Sequence, residues 1–275
     1  MCEAKTLCTY NWFCFCAVAQ KQNQARSTMS ISEWPFPPAL LTIAADEVHV
    51  WRATLDLPTG SLQAFERTLS FDERERAARF RSPQLRQRFT AGRGILRAIL
   101  GRYLRQAPEA LRFTYTAYGK PSLAMLPGQP PLQFNLSHSA GLALYAVTLN
   151  RAVGVDVETI DHNIEHLQVA EHCFSAGERS ALRQLPPGEL AAGFFNCWTR
   201  KEAYIKAHGH GLSLPLDQFS VSLHPQHPAR LLHSNLDPAE PSRWTLQDLV
   251  LGSAYVGALA VAGQGWRIVR WQWPA

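Results

Sequence analysis

The chain has 275 residues, of which 46% are hydrophobic and 18% are charged. This composition allows one large folded domain or two of ordinary size, and it excludes a mainly disordered protein. No run of about 18 uninterrupted apolar residues occurs, so the sequence predicts no membrane span.

The net charge of +5 is distributed unevenly along the chain. Residues 67–105 contain eleven arginines, no lysine and three acids, which gives this segment a net charge of +8. Such a concentration is typical of a surface that binds a polyanion: a nucleic acid, a phosphorylated cofactor or an acidic protein. The alternative is a solvated helix face rich in arginine, and the charge pattern alone does not separate the two.

The first 33 residues are interpreted as an extension outside the fold. They hold four of the six cysteines, and we expect them to be disordered or to result from an early start codon, with Met29 as a natural beginning. A signal peptide is the weaker interpretation, because the apolar stretch 12–19 ends in Ala-Val-Ala after a start with little positive charge. The other cysteines, Cys173 and Cys197, have no metal-ligand spacing, so no disulfide scaffold is expected.

Residues 34–150 are predicted to form a first lobe of helices and strands. Residues 46–55 have strand character, and a capping box from Ser70 to Glu73 predicts the start of a helix. Apolar residues at helical spacing then predict a long helix over about 85–105. The later strands of this lobe are predicted at 112–117 and 142–149, the latter forming a hairpin with 153–158.

Residues 151–275 are predicted to form a second α+β lobe. A second capping box, Ser175 to Glu178, opens a short helix, and a longer helix spans about 189–208 with Gly209 as its C-cap. The remaining segments, as far as Trp273, resemble antiparallel strands.

The strand sequence GVDVE brings two acids together. Side chains two apart in a strand point the same way, so Asp156 and Glu158 share a face about 6.6 Å apart, with Val155 and Val157 on the other face. A hard cation such as Mg²⁺ would relieve the repulsion, because it binds through one or two carboxylates together with substrate phosphates. The alternative is an exposed strand edge with both acids facing water.

Two further motifs offer groups that bind phosphate. FNLSHS places His138 between two serines, where it could donate to a phosphate, and YGKP places Lys120 at a rigid turn. Taken singly, the first motif is more typical of a turn histidine with ordinary hydrogen bonds, and the lysine of the second is often merely solvated.

The long helix near residue 200 carries Glu202 and Lys206, four residues apart. Such a pair is commonly a surface ion pair that contributes about 0.2–0.5 kcal/mol. Alternatively, Glu202 completes a three-carboxylate magnesium site with Asp156 and Glu158, and Lys206 neutralises a phosphate held there.

In their order along the chain, the four motifs resemble the 4′-phosphopantetheinyl transferase superfamily, specifically its two-lobed Sfp-type members. The resemblance extends over about residues 48–261 and includes a Trp198…Lys201-Glu202…Lys206 pattern. It also includes the RxxRF run at 76–80 and the sequence at 209–221. The resemblance implies two similar α+β lobes in pseudo-twofold arrangement, each a small antiparallel sheet with packed helices, and an active site in the cleft between lobes.

The implied reaction moves the phosphopantetheine arm of coenzyme A to a serine of an acyl or peptidyl carrier protein and releases adenosine 3′,5′-bisphosphate. By resemblance, Asp156, Glu158 and Glu202 bind Mg²⁺. Glu202 also receives the serine proton, directly or through a metal-bound water, and Lys206 pairs with the pyrophosphate. The enzyme is expected to be a cytoplasmic monomer without nucleic-acid or membrane partners.

The resemblance also assigns the contacts with coenzyme A. His138, with Ser137 beside it, is expected to hydrogen-bond a phosphate of coenzyme A. Lys120 and Arg76 are expected to hold the adenine and 3′-phosphate end. Glu73 stands where a basic residue is expected, which puts that contact in doubt, although several other arginines are close enough to substitute.

Three other functions remain open at this point. A basic nucleic-acid-binding protein would explain the arginines but not the three acids, which repel a phosphate backbone unless they bind metal. A metal-dependent phosphoesterase would use the acids but would not need the ordered Lys120 and His138 motifs. An inactive relative that only binds carrier proteins is disfavoured by the complete set of acids.

Overall fold

The computed structural model describes residues 34–124, 131–209 and 214–274. The predicted N-terminal extension, residues 1–33, therefore lies outside the described residues. The chain divides into two compact units. Of the described residues, the first unit contains 34–136, Gly141–Asn150 and the segment that begins at Trp266, and the second contains Ser137–Ala140 and Arg151–Gly265.

The first unit contains a four-stranded sheet. Its strands are β1 (Glu47–Thr54), β4 (Leu132–Ser139), β5 (Leu142–Leu149) and β11 (Arg267–Gln272), in the order β11-β1-β5-β4. The last three residues of β4 belong to the second unit. A small two-stranded sheet pairs β2 (Phe113–Tyr115) with β3 (Pro121–Leu123).

Three helices accompany this sheet, namely α1 (Thr59–Thr68), α2 (Phe71–Ala78) and α3 (Pro83–Leu104). The capping box predicted at the start of α2 is present, with the Ser70 backbone N–H donating to Glu73 Oε2 at 3.0 Å. The buried face of α3 packs on the sheet in one hydrophobic core, whose largest members are Trp51, Tyr145, Phe134, Ile95 and Ile99. The sequence did not indicate α1.

The second unit contains an antiparallel sheet in the order β6-β10-β9, formed by β6 (Val153–Thr159), β9 (Trp244–Leu249) and β10 (Tyr255–Ala262). A second pair of strands joins β7 (Phe219–Val221) to β8 (Leu231–Ser234). The helices are α4 (His166–Cys173), α5 (Ala176–Arg183), α6 (Leu190–His208) and the single turn α7 (Glu240–Arg243). The predicted cap of α6 is confirmed, since Gly209 has the left-handed φ of 76°.

The α+β class predicted from the sequence is confirmed, because each unit combines small sheets with helices. Two strand pairings differ from the prediction. The hairpin predicted between β5 and β6 is wrong, since β6 pairs with β10 whereas β5 lies between β1 and β4. The last strand, β11, is parallel to β1 and belongs to the first unit, although residues up to 275 were assigned to the second lobe. Alternating side chains identify a strand but not its partner.

Within the described residues, no helix has both the length and the apolar character needed to cross a bilayer.

Candidate active site

A close approach of helix α6 to strand β6 forms the base of the site. A Cβ atom on Gly154 would lie 2.0 Å from the Ala203 carbonyl oxygen and 2.4 Å from the Ala207 backbone nitrogen. Only glycine therefore allows the helix backbone to lie this close to the strand. Because strand side chains alternate, Asp156 and Glu158 lie on the same face as Gly154, towards α6.

Asp156 is buried in this interface, with only 2% of its surface exposed. Its Oδ1 atom accepts hydrogen bonds from Lys206 Nζ at 2.6 Å and from Ser137 Oγ at 2.8 Å. Its Oδ2 atom is buried and has no hydrogen-bond partner among the described residues. The alternative of an exposed strand edge with acids facing water is therefore wrong for Asp156.

Glu158 lies beside Asp156 in a similar environment. Its Oε2 atom accepts a hydrogen bond from Ser139 Oγ at 2.9 Å. Burial, and next the negative charge of Asp156, raise the pKa of Glu158 to about 8. No role for Ser139 was expected from the motif, although the alternation of Ser137 and Ser139 around His138 indicates that both serines share a strand face.

The side chains of Glu202 and Lys206 face Asp156 and Glu158 rather than solvent. They therefore do not form the exposed surface ion pair that the sequence also allowed. Glu202 is 4% exposed, and its charge raises the pKa of both Glu158 and Lys206. Burial alone would lower the pKa of Lys206, but the nearby carboxylates, Asp156 first, outweigh burial and raise it. Lys206 is therefore a cation surrounded by three carboxylates, and its ammonium also donates to Ser137 Oγ at 3.0 Å.

Lys201, next to Glu202 in the sequence, has a different role. Its Nζ atom donates to both carboxylate oxygens of Glu178 at 2.7 Å and to the Phe219 carbonyl at 2.6 Å, and the side chain is completely buried. Adjacent helix residues point about 100° apart. Lys201 therefore joins α6 to the capping box of α5, whereas Glu202 faces the acids.

Comparison with known proteins identifies the family. Residues 152–260 match the 4′-phosphopantetheinyl transferase superfamily, and residues 56–150 match the family described as 4′-phosphopantetheinyl transferase, N-terminal. The 4′-phosphopantetheinyl transferase HetI of Nostoc is 43% identical over 240 residues, which cover 87% of this chain and 98% of HetI. The chain belongs to the 4′-phosphopantetheinyl transferase superfamily. The 4′-phosphopantetheinyl transferase Sfp of Bacillus subtilis is 35% identical over 180 residues, covering 64% of this chain and 77% of Sfp.

Membership of the transferase superfamily confirms the family and the class of enzyme predicted from the four motifs. All three acids and Lys206 lie inside the segment that matches the superfamily. Coenzyme A is the substrate that this family uses.

The carboxylate oxygens of Asp156, Glu158 and Glu202 suit a hard cation, although the described residues do not form a complete metal site. Among the residues that the structure describes, no group of three or more histidines, cysteines or acids is arranged to hold a metal ion. The buried Oδ2 atom of Asp156, which lacks a hydrogen-bond partner, is nevertheless an oxygen ligand of the kind Mg²⁺ prefers. Mg²⁺ commonly binds through one or two carboxylates and substrate phosphates, and the acids present offer oxygen ligands of this kind.

His138 is exposed at the end of β4, between the two buried serines. Its side chain therefore lies on the opposite face of the strand from Ser137 and Ser139. Sequence reasoning placed His138 in a turn as one alternative, whereas the structure places it in a strand.

Arg76 and Lys120 belong to the first unit of the transferase. Arg76 is exposed on α2, with its guanidinium 5.5 Å from the centre of the Phe89 ring. Lys120 is half-buried, and burial lowers its pKa to about 8.

Glu73 is part of the core of the first unit. It is 2% exposed and accepts from Arg93 and Arg97, each at 2.7 Å. These two arginines are themselves buried, so they do not belong to the basic surface that the charge pattern predicted. The exposed arginines of that segment are Arg67, Arg74, Arg76, Arg79, Arg81, Arg86 and Arg105. An acid at position 73 thus has a structural cause, because its carboxylate pairs with two buried guanidinium groups.

Proposed function

We propose that this chain transfers the 4′-phosphopantetheine group of coenzyme A to a serine of an acyl or peptidyl carrier protein, which converts the carrier from its apo to its holo form. The observation that carries the proposal is the cluster of three acids and one ammonium, in which Asp156 and Glu202 are buried, within the segment that matches the transferase superfamily. Relatives named 4′-phosphopantetheinyl transferase support it.

The proposed reaction is a displacement at the β-phosphorus of coenzyme A. The serine oxygen forms a new bond to this phosphorus while the bond to adenosine 3′,5′-bisphosphate breaks. The serine proton passes to Glu202, which is 4% exposed and therefore shielded from bulk water. A water molecule between the serine and Glu202 would serve the same transfer. A positioned base of this kind contributes roughly 10²–10⁴-fold to a rate.

We propose that Asp156, Glu158 and Glu202 hold Mg²⁺. Bound magnesium would neutralise charge on the pyrophosphate oxygens. Asp156 is the strongest candidate, because its buried Oδ2 has no hydrogen-bond partner among the described residues. The pKa of Glu158 is raised because burial and the neighbouring Asp156 carboxylate disfavour its charged form. A bound cation would favour the charged form again.

Lys206 would pair with the pyrophosphate. Its ammonium already lies 2.6 Å from Asp156 Oδ1, and the surrounding carboxylates keep it protonated. A permanent positive charge held in a partly buried site stabilises the developing charge of a transferring phosphoryl group.

The remaining contacts with coenzyme A are proposed for four side chains. His138 is exposed and able to donate to a phosphate, with Ser137 beside it. Arg76 and Lys120 would bind the adenine and 3′-phosphate end. Exposed arginines on α2 and after it suit an acidic carrier protein, whose association should weaken as salt rises. We propose a cytoplasmic monomer, and we assign no nucleic-acid or membrane partner.

One assay tests the proposal. The chain is incubated with coenzyme A, Mg²⁺ and an apo carrier protein, and the carrier is weighed by intact-protein mass spectrometry. We expect the carrier to gain one phosphopantetheine group and the gain to require both the metal and the carrier serine. An unchanged carrier mass across fatty-acid, polyketide and peptide carriers would refute the transferase activity.

A further inference from the structure

Two of the last three residues of strand β4 are serines, and each of them hydrogen-bonds one of the two acids of β6. Ser137 Oγ donates to Asp156 Oδ1 at 2.8 Å, and Ser139 Oγ donates to Glu158 Oε2 at 2.9 Å. Each serine lies 19 residues before its acid, because both strands present alternate residues on the shared face. Both hydroxyls are largely buried, with Ser137 7% and Ser139 8% exposed.

The serine hydroxyls donate in both hydrogen bonds, because the carboxylate oxygens accept. A serine hydroxyl has a single proton. Ser137 Oγ already accepts from Lys206 Nζ at 3.0 Å, so its own proton is available for Asp156. Ser139 Oγ accepts from the Thr159 backbone N–H at 3.1 Å and donates its single proton to Glu158 Oε2. The Thr159 hydroxyl, 2.8 Å away, then acts as a second donor to Ser139 Oγ.

The hydrogen bond from Ser139 holds Glu158 in one orientation. The Thr159 backbone N–H belongs to the strand that carries Glu158, so Ser139 bonds both to the acid and to the residue that follows it. In metal sites, groups that hydrogen-bond the ligands orient them, and their removal typically lowers metal affinity by 10–100-fold.

We infer that Ser139, together with Ser137, is a positioning residue that orients the carboxylates of Glu158 and Asp156 for the divalent metal ion of the transferase. This inference rests on the proposed magnesium-dependent function. It assigns Ser139 to the site although neither its charge nor its motif marks it as a ligand. Ser139 acts through Glu158 and does not itself contact the metal or the substrate.

The test measures metal binding directly and not only activity. Full-length protein with saturating coenzyme A, and without carrier, is titrated with Mn²⁺, and free Mn²⁺ is followed by electron paramagnetic resonance. We expect Ser139→Ala to bind Mn²⁺ about 10-fold more weakly than the unaltered chain. Ser139→Thr keeps the hydroxyl and should restore binding. Ser139→Cys is close in size to serine, but its thiol donates only weakly, so it should also bind Mn²⁺ about 10-fold more weakly than the unaltered chain. This variant tests the inference if Ser139→Ala does not fold.

Ser220→Ala serves as the matched control. Ser220 is in the same unit, and its hydroxyl bonds the Ser175 hydroxyl at 2.9 Å. We expect this variant to bind Mn²⁺ normally. In the transfer assay, the defect of Ser139→Ala should appear as a higher metal concentration for half-maximal rate, with the rate recovering at saturating metal.

Two results would overturn the inference while leaving the proposed function intact: equal Mn²⁺ affinity in Ser139→Ala and the unaltered chain, or an equal loss in Ser139→Thr. If the unaltered chain does not bind Mn²⁺ at all, the proposed metal site itself fails and the inference falls with it. The assay therefore distinguishes a failure of the positioning role from a failure of the proposed function.

Discussion

Replacing Lys201 with methionine should destabilise the second unit strongly. The side chain is completely buried, and its ammonium makes three contacts of 2.6–2.7 Å, two with Glu178 and one with the Phe219 carbonyl. Methionine leaves the Glu178 carboxylate, which is 3% exposed, without a cationic partner. Removing one partner of a buried pair costs about 3–5 kcal/mol, because the other charge remains buried and uncompensated.

Thermal unfolding followed by circular dichroism measures this cost. A loss of that size lowers the midpoint by roughly 6–20 °C in a protein of this length. The matched control is Arg183→Met on the neighbouring helix α5, where the arginine pairs with Glu171 and its side chain is 54% exposed. An exposed pair contributes about 0–1 kcal/mol, so this variant should unfold close to the normal midpoint.

A double variant separates the buried charge from simple loss of packing. Lys201→Met combined with Glu178→Gln removes both charges. The single glutamine oxygen can keep one of the two backbone N–H bonds, from Ser175 or from Val221, because these reach different oxygens of Glu178. We expect the double variant to be more stable than Lys201→Met alone. The reasoning is refuted if Lys201→Met unfolds within about 1 kcal/mol of the unaltered chain, or if the second substitution destabilises it further.

Three other predictions concern the site and its surroundings. Glu202→Gln should lower transfer at least about 100-fold in the mass assay without a large change in unfolding midpoint; retained activity would exclude its role as base. Gly154→Ala places a Cβ 2.0 Å from the Ala203 oxygen and should cost about 1–3 kcal/mol in urea unfolding; full stability would refute the close approach. Burial lowers the pKa of Lys120 to about 8, so its charge is lost as pH rises through 8 and the KM for coenzyme A should then increase. Lys120→Arg should reduce this increase in KM with pH, because arginine stays charged. Dephospho-coenzyme A, which lacks the 3′-phosphate, should also show a smaller increase. A pH profile unchanged in both experiments would contradict a contact between Lys120 and the 3′-phosphate.

The sequence determined the family and the local elements. Four short motifs in a fixed order identified the superfamily, and the two capping boxes and Gly209 marked helix ends that the structure contains. These features depend on residues close together in the chain, whose geometry follows from backbone periodicity. The same periodicity placed Asp156 and Glu158 on one face of a strand.

Tertiary structure alone decided the partners of those elements. Strand alternation did not show that β6 pairs with β10, or that β11 returns to lie parallel to β1. The sequence motif assigned Lys206 to the site, but it did not show that Lys201 on the same helix pairs with Glu178 or that Lys206 pairs with Asp156. Burial and pairing arise from contacts between residues far apart in the chain. For that reason the structure, rather than the sequence pattern, shows that Ser139 lies beside Glu158. It also shows that Glu202 is buried and does not form an exposed surface pair with Lys206.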